Sequence, residues 1–384
     1  MGRRRSPVKR LVVAAFLALA ATPVAAQDLR LPVLVPLTGF VALEGTSQRN
    51  GALLAAGETR DPALKPDVLD TQSTPEAAVT AWQRALSGMS SGEPPPAAIG
   101  PILGTQMLAL LPLAQERGVP LLTISGTARL GELGNPFFFR FFPSDATVKV
   151  AHARYVVEKL GARRPAIIYQ STAYGQSGRE QLAKTFNDLK TPPVLEESVA
   201  VTVNDLSPAI LRAKAANADV LVLHLHAPST VLAIRQARQL MPDIPIVAGS
   251  AMHQPATAAL LEPAELKGVC AETAASPISA ATPEMRAFLD AYRAAWKNDP
   301  DAFAASQYDA VKMLAWVSGQ LSKSGGKITP AAVRDRLASE TWKGVVTTYK
   351  SDGKGNMAHS AIIVCYDGAS RVPLLVLNVT YPLV

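Results

Sequence analysis

Residues 97–129, AAIGPILGTQMLALLPLAQERGVPLLTISGTAR, constrain this chain most. A short apolar run at 97–99 meets Gly100-Pro101. Met107, Leu110, Leu111 and Ala114 then recur at i, i+3, i+4 and i+7, one face of a helix, and Gly118 stops it. A second apolar run, 119–124, ends at Ser125-Gly126-Thr127. The order is strand, loop, helix, strand, loop: one βαβ unit, with a right-handed crossover. Both loops leave the carboxyl ends of their strands, the edge at which open α/β sheets bind ligands. The first also feeds a helix N-terminus, whose unsatisfied N–H groups attract anions.

The same alternation extends in both directions. Strands are expected at 29–36 and 66–69, with a helix at 41–58 interrupted by Gly45 and Gly51. Thr74-Pro75 starts a further helix, a capping hydroxyl followed by proline at the first helical position. A second series begins at Pro143-Ser144-Asp145. It reads helix 145–160, strand 166–169, helix 178–189 and strand 194–200. A helix from Ser207, strand 219–224, helix 229–240 and strands 244–248 and 266–271 follow. Helices start again at Thr282-Pro283, at 302 and at Thr329-Pro330. Strand-like pieces at 345–349, 361–366 and 374–379 close the chain. The expectation is an α/β fold of mostly parallel sheets flanked by helices. Its 384 residues suffice for two domains.

The first 26 residues have the form of an export leader. Arg3, Arg4, Arg5, Lys9 and Arg10 precede an apolar run, 11–21, too short to span a bilayer, and Val24-Ala25-Ala26 is a cleavage site. The hydrophobic residues that follow a twin-arginine pair are missing, so ordinary secretion with cleavage after Ala26 is expected. Removing the five basic residues takes the net charge from +7 to +2, which leaves no electrostatic footprint for nucleic acid. No cysteine follows the cleavage site to carry a lipid. Export permits a disulfide between Cys270 and Cys365, but their spacing does not distinguish it from two buried thiols.

The order of motifs resembles one family. Pro36-Leu37-Thr38-Gly39, Arg49-Asn50-Gly51-Ala52, Ile99-Gly100-Pro101, Gly118-Val119-Pro120 before Ile124-Ser125, and Phe139-Arg140 with Pro143-Ser144-Asp145 come in sequence. Ala173-Tyr174-Gly175, Arg235-Gln236-Ala237-Arg238 and Tyr308-Asp309-Ala310-Val311 follow. Together they are similar to the periplasmic solute-binding proteins of ABC importers, in the branched-chain amino-acid-binding, leucine-binding-protein-like (type I) branch. The resemblance implies two lobes joined by a three-crossing hinge, 28–142 with 279–342 and 143–277 with 343–384. It implies a small-molecule ligand held between them by hinge closure and passed to an inner-membrane permease, a periplasmic monomer, no cofactor and no catalysis. A sensory role, reporting ligand to a receptor, keeps the same fold.

The resemblance also nominates site residues. Thr105 matches the hydroxyl offered to the ligand carboxylate, and Thr127 the next loop's contribution. Arg129 stands where the family has threonine. Tyr174 matches the tyrosine at the mouth of lobe two, His226 falls where an aromatic lines the cleft, and Glu44 where lobe one offers an aromatic. In Gly249-Ser250-Ala251, Ser250 is a further candidate ligand-binding residue, and Ala251 takes the place of the acid that meets the ligand's ammonium in amino-acid-binding members. A buried ammonium without a partner is costly, whereas a guanidinium holds a carboxylate through two hydrogen bonds. The expectation is therefore an organic acid ahead of an amino acid, with Glu44 as the residue that would reverse it. His224 and His226 alternate on one side of a strand end and His253 lies nearby in sequence, yet no carboxylate or cysteine at ligand spacing accompanies them, so no metal is expected. Gly175-Gln176-Ser177-Gly178 lacks the spacing of a nucleophile elbow, which leaves a hydrolase without a nominated nucleophile.

Overall fold

The computed structural model describes residues 1–2, 28–60, 62–87, 94–279 and 282–380; all but two residues of the expected leader lie outside these. The first sheet takes β1 (Leu29–Val35), β2 (Leu64–Asp70), β3 (Ala98–Ile99), β4 (Leu121–Thr123) and β5 (Phe138–Arg140). All are parallel, in the order β2-β1-β3-β4-β5. Between them run α1 (Ala42–Gly57), α2 (Pro75–Ser87), α3 (Gly104–Arg117) and the short α4 (Arg129–Glu132). The unit β3–α3–β4 is the one expected at 97–129. Met107, Leu110, Leu111 and Ala114 are buried, and Gly118, left-handed at φ +64°, caps α3.

The second series runs through α5 (Asp145–Arg154), β6 (Pro165–Gln170), α6 (Ala173–Asp188), β7 (Leu195–Val199), α7 (Ser207–Ala215), β8 (Val220–His224) and α8 (Ala227–Leu240). It continues with β9 (Ile246–Ala248), the one-turn α9 (Pro255–Ala258) and α10 (Pro263–Leu266), and β10 (Val269–Thr273). After α11 (Pro283–Trp296), α12 (Ala302–Lys323), α13 (Pro330–Ser339) and the hairpin β11 (Thr341–Lys343)–β12 (Thr348–Lys350), the chain adds β13 (Ser360–Cys365) and β14 (Leu374–Thr380). The sheet order is β7-β6-β8-β9-β10-β13-β14, its last two strands antiparallel. Each lobe therefore repeats one doubly wound order, 2-1-3-4-5, whose switch points lie between β1 and β3 and between β6 and β8.

Both sheets are covered on two faces. In the first, α1, α11, α12 and α13 bury Leu31, Val33 and Val35 on one side, and α2 and α3 bury Leu34 and Leu121 on the other. Thr282, Asp301 and Thr329 each cap the next helix, accepting from Met285 N (3.1 Å), Ala304 N (2.8 Å) and Ala332 N (3.2 Å).

Four details differ from the sequence expectation. Gly45 and Gly51 do not interrupt α1; they let it approach its neighbours. A Cβ on Gly45 would stand 1.8 Å from the Pro36 carbonyl oxygen, and one on Gly51 2.1 Å from that of Ala304 in α12. The helix expected over 145–160 changes at Tyr155 into a π turn, Tyr155–Lys159. The strand expected at 345–349 is a turn leading into β12. Residues 343–358, assigned above to lobe two, pack with the first sheet's helices. Tyr349, Met357 and Ala358 belong to that core, and Asp309 of α12 accepts from Val345 N, Val346 N and Tyr349 Oη, all at 2.9 Å. Cys270 and Cys365, directly opposed on β10 and β13, form a disulfide.

Candidate functional site

Loops at the carboxyl ends of strands from both sheets meet around one cavity of about 500 Å³, the part open to solvent included. Val41 and Glu44 follow β1, Ile102 and Leu103 follow β3, and Ile124 and Gly126 follow β4. Tyr174 follows β6, His226 follows β8, and Ser250 and Ala251 follow β9. Phe142, Val148 and Phe303 complete apolar walls.

Two acids are among the polar groups of the lining. Asp145, first residue of α5, donates its N–H to Gly126 O at 2.7 Å. Burial pushes its carboxyl up to about 7, helped by Glu272 and opposed by Lys149, Ser177 and Arg140. Glu44, in the first turn of α1, accepts the Ala227 N–H at 3.0 Å through Oε1. Burial pushes it, too, up to about 7, with Asp301 adding to the rise. Asp145 Oδ2 and Glu44 Oε2 are buried with no hydrogen-bond partner among the described residues. The half-buried Tyr174 also lines the cavity, its phenol pushed well above the usual range by burial and by Glu272, Asp145 and Glu44. Its ring centroid is 5.2 Å from that of His226, which burial holds neutral, down to about 3. Ser250 donates to Glu272 Oε2 at 3.0 Å, leaving its oxygen lone pairs to accept from the cavity; Glu272 is in turn ion-paired with Lys149, both fully buried.

Arg140 supports one wall. Its Nη1 donates to the carbonyls of Ser125 (3.2 Å), Gly126 (3.1 Å) and Thr127 (2.7 Å), and its guanidinium also binds Asn356. Hydrogen bonds cross between the lobes around the cavity. Besides Glu44 with Ala227, Ala128 N donates to Ser177 Oγ at 2.8 Å and Gln254 Nε2 to Asp301 Oδ2 at 2.7 Å. The lobes are closed on one another.

Of the seven nominated residues, Glu44, Tyr174, His226 and Ser250 line the cavity, and Thr105, Thr127 and Arg129 do not. Thr105 sits half-buried on the first turn of α3. Thr127 is buried with its side chain against Gly104, and Arg129 is exposed in a neighbouring surface groove beside Glu132 and Glu180. The reason is local. The backbone at 128–132 turns into α4, which carries residue 129 outward where an extended loop would point it in. Among the described residues, no lysine or arginine lines the cavity. His224 and His226 do share a side, but His224 Nε2 pairs with Tyr174 O at 2.9 Å and His226 Nε2 with Thr172 Oγ1 at 3.2 Å. Asp145 escaped nomination because in sequence it reads as an ordinary first-turn acid after the Ser144 cap. The signal was its place just after the Phe139-Arg140 run.

A family model described as periplasmic binding protein matches residues 28–369. The chain belongs to that family. Its members are substrate-binding proteins rather than enzymes. Among relatives of this periplasmic binding protein, the Leu/Ile/Val-binding protein BraC3 of Rhizobium johnstonii is 25% identical over 349 residues, covering 88% of this chain and 92% of its own. The leucine-binding protein LivK of Thermotoga maritima superposes with a TM-score of 0.81 at 22% identity, over 92% of this chain and 99% of that one. A solute-binding protein of an ABC transporter from Rhodopseudomonas palustris, solved with 3,4-dihydroxybenzoic acid, gives 0.80 at 18%, over 92% and 96%. The type I two-lobe fold is thus common to all three. Among the described residues, no helix is long and apolar enough to cross a membrane.

Proposed function

We propose that this chain is the binding component of an ABC importer, capturing between its lobes a small molecule with an apolar body and a protonated nitrogen. The observation that carries this is the cavity's lining: two buried carboxyl groups, each with an unpartnered oxygen, and, among the described residues, no lysine or arginine on its walls. A carboxylate held in apolar surroundings is stabilised most by an opposite charge. The organic acid expected from sequence depended on Arg129, which stands outside the cavity, so an amino acid moves ahead of it. Asp145 and the Ser250 oxygen receive the ammonium, Tyr174 and His226 form the wall, and the start of α3 faces the ligand's carboxylate. Thr105, Thr127 and Arg129 belong to the rim. The Leu/Ile/Val-binding names of relatives point the same way.

The lobes comprise 28–142 with about 279–358, and 143–277 with about 359–384. Three crossings join them, the last near Ala358 rather than Trp342. Residues 1–26 direct export and are removed, and the monomer delivers its ligand from the periplasm to an inner-membrane permease. The test is calorimetry with leucine against 4-methylpentanoate, which lacks the amine, and with benzoate. A ligand at a hundredfold excess over Kd stabilises the protein by about 2.7 kcal/mol, so thermal shifts report the same ranking. Leucine or another amine binding, with loss in Asp145→Asn, is expected. Carboxylates binding while amines do not would overturn the reading.

A further inference from the structure

The charge of Glu44 is not accounted for by one ammonium. Asp145, at the start of α5, and Glu44, in the first turn of α1, line the same cavity. Asp145 Oδ1 lies 3.2 Å from where a Cβ on Gly126 would be, and the Tyr174 ring 3.8 Å from the same point. From Tyr174 the wall steps 5.2 Å to the His226 ring, and the next residue, Ala227, carries the N–H bound to Glu44. Asp145 and Glu44 are thus held by different segments of the wall, with Tyr174 and His226 among the residues beside them. The hydrogen bond to Ala227 uses Oε1 alone; Oε2 is buried at the cavity and unpartnered among the described residues. The surroundings offer it no cation. Asp301 is the charged group beside it and is itself acidic, with its oxygens taken by Ser47, Gln254 and Ala304. His226 is neutral, and Tyr174 stays protonated. Much of the remaining wall is apolar: Val41, Ile102, Phe142, Phe303.

We infer that the ligand carries a second protonated nitrogen, at the end of an apolar chain remote from the first, and that Glu44 is the residue that selects it. The ligand class is an α,ω-diamino compound such as a basic amino acid, with methylene groups along the apolar walls and one nitrogen at each acid. This rests on the amine-binding reading above and narrows it. A latch between lobes would need only Oε1, and a surface acid would not be buried; the free, enclosed Oε2 calls for a donor that the protein does not supply.

The test compares L-lysine with L-norleucine, which shares its carbon chain and lacks the distal nitrogen, by calorimetry at pH 8. The wild-type protein is expected to bind lysine tighter by about tenfold or more. Glu44→Gln should bring the two within about threefold of each other, and Asp145→Asn should weaken both; far-UV circular dichroism verifies that each variant is folded. Norleucine binding as tightly as lysine to the wild type, or a preference that survives Glu44→Gln, overturns the role of Glu44 and leaves the amine-binding reading standing. Neither compound binding to folded protein, with 4-methylpentanoate or benzoate binding instead, overturns both.

Discussion

Replacing Glu44 by glutamine should make the unliganded protein more stable, and only at high pH. The unfolded chain titrates this carboxyl near 4.5, whereas burial in the closed cleft raises it to about 7. The folded form therefore holds the proton more tightly. Its stability from this group is present at low pH and is lost as pH rises from about 4.5 through about 7. Above that, the ionised carboxylate destabilises the fold by about 3 kcal/mol, at 1.36 kcal/mol per pK unit. At pH 5 most of this has not yet appeared. Glutamine keeps an oxygen for the Ala227 N–H, 3.0 Å away in the wild type, and replaces the unpartnered Oε2 with a neutral amide. That amide lacks an acceptor, at a cost of about 1–3 kcal/mol that does not depend on pH. The informative quantity is therefore the difference between pH values. Glu44→Gln should gain about 2–3 kcal/mol relative to wild type between pH 5 and pH 8, roughly 4 °C in Tm for a chain of this length. Calorimetric scans of both proteins at both pH values measure it. An unchanged difference in Tm would mean that Glu44 ionises as in water, and the desolvation reasoning would fall with it.

Other outcomes follow from the same structure. Affinity for an amine should rise by about tenfold or more from pH 6 to pH 8, because Asp145 and Glu44, both raised to about 7, must lose protons to pair with it; calorimetry in buffers of different ionisation heat should register proton release at pH 6, and a flat profile would count against the pairing. Reducing the Cys270–Cys365 bridge, which closes a loop with a sequence separation of 95, should cost about 2–5 kcal/mol, seen as a lower Tm with dithiothreitol and matched by Cys365→Ser. Asp309→Ala should destabilise by about 2–4 kcal/mol, since it frees two backbone N–H groups and the Tyr349 hydroxyl in the first lobe's interior; ligand affinity per folded molecule should be unchanged.

The architecture was legible because its signals are local and periodic. The helix 107–114 follows from four apolar positions and a glycine stop, and α11 and α13 from Thr-Pro pairs whose hydroxyls do cap them. Two parallel sheets follow from the alternation of such pieces. The site was legible only in part. Of the nominated residues, Tyr174, His226, Ser250 and Glu44 line the cavity, each following a strand end. Arg129 misled because sequence alignment fixes where a residue falls along the chain, not which way a four-residue helix turns it. Gly45 and Gly51 looked like helix breaks because the partner that needs their missing side chains, the carbonyls of Pro36 and Ala304, lies in other segments. Asp145 depends on the same kind of non-local fact: its carboxyl is unusual only once Phe142, Val148 and Tyr174 enclose it.

The hydrogen bonds at the rim have a consequence for ligand specificity at a distance. Gln254 reaches across to Asp301, which also holds Ser47 at 2.6 Å, and neither Gln254 nor Asp301 lines the cavity. The Gln254–Asp301 bond exists only when the lobes meet, so it helps set the fraction of molecules in the binding-competent form. Apparent affinity is the intrinsic affinity scaled by that fraction. A change at Gln254 would thus move the Kd for every ligand by one common factor, while the ranking among ligands stayed as Glu44 and Asp145 fix it. The cavity and the rim are separable dials: one chooses the ligand, the other sets the concentration at which it is caught and how readily it is let go.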